Sequence, residues 1–252
     1  MSVVALTLVI VCAGAVYLRS WLNRRLIPAW RVCSFFLGLL ATWAAVASPV
    51  ASLDSNMLTA HMIQHLLLMT IAPPLIWLGE PLMTVQKHLL SARKQAGHYA
   101  RLFGHPVFCW LAAAVALIVW HMPAVFQLGM HSATWHFVEH ASFLTTGLLF
   151  WWPVIQPWPS TARWSRWSIL LYLFLATVPC DVLSGLLVFS DRVVYPMYLS
   201  SHQMDGLSPL EDQQCAAALM WTCVTVVFLV AGTILAMQML SPKLRLQEVD
   251  SV

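Results

Sequence analysis

Seven apolar runs divide this chain, and no other feature restricts its fold as much. They lie near 3–21, 31–50, 57–78, 106–122, 134–153, 167–189 and 212–240. A helix rises about 1.5 Å per residue, so about 20 apolar residues cross a hydrocarbon core about 30 Å thick. Of the 252 residues 60% are hydrophobic and only 9% charged, whereas a soluble domain is about one quarter charged. Lipid offers no hydrogen bonds to backbone amides, so each run is expected as a helix. The expectation is an all-α integral membrane protein with seven transmembrane helices. No repeat, low-complexity tract or linker interrupts it, so residues 1–252 read as a single domain. Prolines punctuate most run ends, and Pro73–Pro74 inside the third run is expected to kink it.

The basic residues orient the runs. Arg19, Arg24, Arg25, Arg31, Lys87, Arg93, Lys94, Arg101, Arg163, Arg166, Lys243 and Arg245 all fall in alternate connections on one side. The other side holds only Arg192, with Asp54, Asp191, Asp205, Glu211 and Asp212. Positive loops stay cytoplasmic, which places the N-terminus outside and the C-terminus in the cytoplasm. The first run has its arginines after it rather than before it, the reverse of a cleavable signal, and reads as an uncleaved span. In the loop 79–105, Leu89, Leu90, Tyr99, Leu102 and Phe103 alternate with basic groups, as in a helix lying on membrane lipid.

This orientation gathers five histidines at one depth. His61 and His65 open the third run from the outside, His121 closes the fourth, and His136 and His140 open the fifth. Residues four apart share a helix face, so each pair projects together. Imidazole is the commonest metal ligand and suits copper, zinc and iron, and polar groups within a membrane face a bundle interior. The five are candidate metal ligands; the competing reading is a hydrogen-bonded polar cluster. Met57, Met62, Met122 and Met130 lie close in sequence, and thioethers beside imidazoles favour Cu(I), although methionine is also an ordinary gap filler. Met130 and His131 are placed in a short outer loop. Glu139 is a candidate to orient an imidazole, and Asp181 a proton-path group or histidine partner, or else a neutral acid bonded to a carbonyl freed by Pro179.

Other chemistries find no support. The six cysteines form no CxxC, no phosphate loop or nucleophile–base pair is present, and no basic run suggests nucleic acid. Most of the 13 tryptophans fall near run ends, as an interfacial belt does.

"HMIQHLLLMTIAPPLIWLGEPL", "VWHMPAVFQLGMHSATWHFVEHASFLTTGLLFWWPVI" and "LSPLEDQQCAAALMW" together resemble the CtaG family of cytochrome c oxidase assembly factors, in its polytopic membrane form. The resemblance implies maturation of a haem–copper oxidase, with no catalytic turnover. Copper, as Cu(I), would pass from the histidine cluster to an oxidase subunit as client, supplied by a periplasmic copper donor. It implies a multi-pass protein of the bacterial inner membrane. Family positions fall on His61, His65, His121, His136 and His140, and on Asp212, Gln213, Met220 and Trp221. Asp212 and Gln213 can accept hydrogen bonds from imidazole N–H groups, or Asp212 can be a favourable helix N-terminal charge. The residues alone leave two rivals open: a haem b electron carrier with paired imidazoles, and an ion or proton transporter.

Overall fold

The computed structural model describes residues 3–24, 27–84, 104–157, 164–199 and 206–240. The expected surface helix of the loop 79–105 falls mostly outside these residues, as do its basic groups and the tail carrying Lys243 and Arg245.

All regular structure among the described residues is helical. The long elements are α1 (Val3–Arg24), α2 (Ala29–Ala47), α3 (Leu58–Leu78), α4 (Pro106–His121), α5 (Pro123–His131), α6 (Ala133–Ile155), α7 (Arg166–Val188) and α8 (Pro209–Leu240). Proline starts α4, α5 and α8, where its missing N–H costs nothing. Helices α1, α2, α3, α7 and α8 are each long and apolar enough to cross a membrane. Leu8, Val9, Leu171, Phe174, Leu229 and Ile234 on their outer faces are exposed, an apolar surface suited to lipid. The chain is a multi-pass membrane protein.

Two details depart from the sequence reading, and a third lies at the expected proline kink. The fourth run ends at His121 after 16 residues, and the chain turns by 78° into α5, so Met130 and His131 are helical rather than in a loop. Helix α6 has the length of a span at 23 residues but, carrying His136, Glu139 and His140, is not among the helices apolar enough to cross a membrane. The prolines of α3 are accommodated by a widened π-helical turn at Leu67–Ile71, immediately before Pro73. Widening carries the ladder past the carbonyls those rings would strike.

Helix α3 is the hub, packing on α2, α6 and α8, and it is the most buried of the five apolar spans. Gly147 sets its approach to α6: a Cβ there would lie 2.8 Å from both the Met69 carbonyl oxygen and the Pro73 Cγ. At one end of the bundle, Tyr17 donates to the Gly79 carbonyl and Arg31 pairs with Glu80 at 2.7 Å. At the other end lie Asp54, Tyr195, Tyr198, Asp212 and the histidines.

Candidate metal centre

The start of α3 is held from another helix. Met57 has no side-chain oxygen to cap the first turn, and Asp212 of α8 supplies one. Its carboxylate accepts from the Leu58 N–H at 2.6 Å, the Thr59 N–H at 3.2 Å and the Thr59 hydroxyl at 2.6 Å. Three donors on one buried carboxylate fix the position of α3, and with it His61 and His65 in the two turns that follow. Gln213 holds a different part. Its oxygen accepts from the Val194 N–H at 2.7 Å, and its amide donates to the carbonyls of Leu187 and Arg192. Neither residue bonds a described imidazole; Asp212 lies instead in the first turn of α8, the position where a negative charge is favourable.

The segment that Gln213 pins lies against the cluster. Tyr195 donates to the His121 carbonyl at 3.0 Å, and Tyr198 to the Asp54 carbonyl at 2.8 Å. Burial pushes both phenols above their ordinary range, so they remain donors. Helices α4 and α6 are tied beside it: the Trp120 indole donates to Ser142 at 2.7 Å, and Ser142 donates to the Glu139 carbonyl at 2.7 Å.

Within this frame all five histidines meet. The ring centroids of His61 and His65 are 4.2 Å apart, as are those of His136 and His140. His61 stacks 5.7 Å from His136, and His65 lies 6.0 Å from both His121 and His140. His61 and Glu139 are 0% exposed, His121 4% and His65 6%, while His136 and His140 are half-buried. Phe126 and Phe143 wall the group with apolar surface. Gly129 brings α5 against Glu139, where a Cβ would lie 2.9 Å from the carboxylate.

Two carboxylates complete the group. Glu139 Oε1 lies 3.3 Å from His65 Nε2 and 3.5 Å from His61 Nε2, and Asp54 Oδ2 lies 3.4 Å from His136 Nε2. None of these contacts makes a well-aligned hydrogen bond, and the atoms have no other partner among the described residues for His61, His65, His136 and Glu139. His121 is set by its own turn. Its Nδ1 donates to the Leu117 carbonyl at 2.8 Å, so Nε2 carries a lone pair, also unpartnered. A neutral imidazole has one N–H to offer, so His61 and His65 meet the Glu139 carboxylate only through poorly aligned contacts, and a cation among these nitrogens and oxygens would satisfy all of them. Two ligand atoms, each about 2.0–2.1 Å from a tetrahedral ion, are about 3.3–3.4 Å from each other. The observed spacings of 3.3, 3.4 and 3.5 Å match that edge. His61, His65 and Glu139 form one triad able to hold a metal ion, and Asp54, His61 and His136 form another.

The family described as cytochrome c oxidase caa3 assembly factor (Caa3_CtaG) matches residues 12–241. The chain belongs to this family. It is therefore an assembly factor for a cytochrome c oxidase, and an oxidase is its client. No curated protein and no solved structure matches it.

Elsewhere in this assembly factor, some sequence candidates stand apart. Asp181 on α7 is half-buried and lies outside ion-pair distance of every described histidine. Met62 is buried, whereas Met122 is exposed. With His65 and His121, Met62 lines an apolar cavity of about 60 Å³, open at its mouth, together with Met69, Cys180 and Met220. Four residues escaped the sequence reading: Asp54 as a histidine partner, the supporting Tyr195 and Tyr198, and the buried Gln64 on the histidine-bearing helix. Gln64 is 1% exposed with both amide atoms unpartnered among the described residues, and its place three residues after His61 was the available signal. Asp54 gave none, because it reaches His136 across 82 residues of chain.

Proposed function

We propose that this assembly factor binds copper as cargo at the histidine–carboxylate cluster and delivers it to its client oxidase, without catalytic turnover. The observation that carries this reading is the pair of imidazole nitrogens at 3.3 and 3.5 Å from a single oxygen of the fully buried Glu139. His61, His65 and Glu139 would hold the ion, with His121 Nε2 and the half-buried His140 within reach of the same rings.

Charge favours the monovalent state. One buried carboxylate neutralises one Cu(I), whereas a divalent ion would leave an uncompensated charge in an apolar wall. Imidazole and the nearby Met62 suit Cu(I) as well. The protein's part is to hold the rings apart from lipid, exclude competing ligands, and leave His136 and His140 accessible for exchange. A periplasmic donor would load it. The positive-inside pattern supports seven crossings, counting α4–α5 and α6 as two, with the N-terminus outside and the cluster on the periplasmic side of a bacterial inner membrane.

Purification followed by metal analysis and a visible spectrum tests this. Near-stoichiometric copper is expected, lost in the double variant His61→Ala/His65→Ala. A Soret band would favour the haem carrier instead; absence of both copper and haem from protein loaded anaerobically with Cu(I) would overturn the copper reading.

A further inference from the structure

The cluster contains two carboxylates rather than one, and they do not share a triad. Asp54, His61 and His136 lie with their ligand atoms within 4.8 Å of one another, and so do His61, His65 and Glu139. His61 belongs to both. Its two ring nitrogens are unpartnered among the described residues, and its side chain is 0% exposed. The triads differ in access: the side chains of His136 and Asp54 are 24% and 12% exposed, whereas those of His65 and Glu139 are 7% and 1%.

We infer that the cluster is two monovalent-metal stations joined through His61, an outer one on Asp54 and His136 and an inner one on His65 and Glu139. This rests on the copper reading above. Each station carries one carboxylate, so two Cu(I) ions would be neutralised without proton loss, the neutral His61 giving its one lone pair to one ion at a time while the other ion keeps its carboxylate and second imidazole. With one ion, the shared ring gives a transfer route. The bonds to Asp54 and His136 break as those to Glu139 and His65 form, His61 stays engaged, and Cu(I) keeps its oxidation state throughout. A bare ion need never cross an apolar gap, which is the costly alternative. The Tyr198 bond to the Asp54 carbonyl holds the outer carboxylate in place without using it, leaving its oxygens for the ion.

Full-length protein in detergent, titrated anaerobically with Cu(I) against a competing chelator, separates the possibilities. Wild type is expected to hold two equivalents. Asp54→Asn and His136→Ala are each expected to hold one, with loading of that one slower than in wild type. Glu139→Gln should lose the tighter equivalent instead. A single equivalent in wild type, with Asp54→Asn unchanged in affinity and loading rate, would overturn the two stations while leaving the copper reading intact. No bound copper in wild type would overturn both. Should Asp54→Asn lose its thermal unfolding transition, His136→Ala decides: one equivalent, loaded slowly, supports the proposal and two equivalents refute it.

Discussion

Glu139 is the residue on which the site turns, because a carboxylate at 0% exposure cannot remain charged without a cation or several donors. Its Oε1 has two imidazole nitrogens at 3.3 and 3.5 Å and no aligned hydrogen bond, which under the copper proposal leaves it for the ion that the rings would share. Replacing Glu139 by Gln keeps the shape and removes the charge; copper affinity is expected to fall about 10–100-fold, read by chelator competition. Asp212 makes the contrasting case. It touches no ring, and its three bonds secure the first turn of α3. Asp212→Ala should cost about 1–2 kcal/mol of stability, as lost helix caps do, with a lower unfolding midpoint in detergent but unchanged copper stoichiometry. Loss of copper binding without loss of stability in that variant would return Asp212 to the site.

At the scale of elements, the site exists because α3 and α6 approach closely. Gly147 permits this against the widened turn at Met69 and the ring of Pro73, some two turns below Glu139. Gly147→Leu should force the helices apart, destabilise the fold by about 1–3 kcal/mol, and weaken copper binding by separating Glu139 from His61 and His65. Gly185→Ala, where nothing lies within 4 Å of the added carbon, is the matching control and should leave both unchanged. The spacing of each histidine pair was legible from the i, i+4 rule, because it depends on one helix alone. The turn at Leu67–Ile71 was not, since two successive prolines predict a break in the ladder but not whether it bends or widens. The helical α5 was missed for a similar reason. Pro123 ends the fourth run, yet the same residue is well suited to start a new helix at an angle.

The whole molecule presents apolar faces on α1, α7 and α8 and a polar, histidine-bearing end opposite the Arg31–Glu80 pair. If that polar end is periplasmic, a cysteine at the exposed Asp191 should react with a membrane-impermeant thiol reagent applied to intact spheroplasts. A cysteine at the exposed Arg19 should react only after permeabilisation. The background for both is a variant with Cys12, Cys33 and Cys215, the exposed native cysteines, replaced by Ser. The opposite labelling pattern would invert the orientation and place the cluster in the wrong compartment for a periplasmic donor.

By itself the sequence determined the membrane class, the long apolar helices, the family and the pairing of histidines on one helix face. The class and the pairing depend on composition or on spacing along a single helix. The tertiary structure alone decided which carboxylates accompany the rings. Asp54 and Glu139 face histidines, whereas Asp212 caps α3 and Asp181 lies apart. The rotation of one helix about its axis relative to the next is set by contacts between distant residues, such as Gly147 on Met69 and Trp120 on Ser142. Periodicity within one helix carries no record of that rotation.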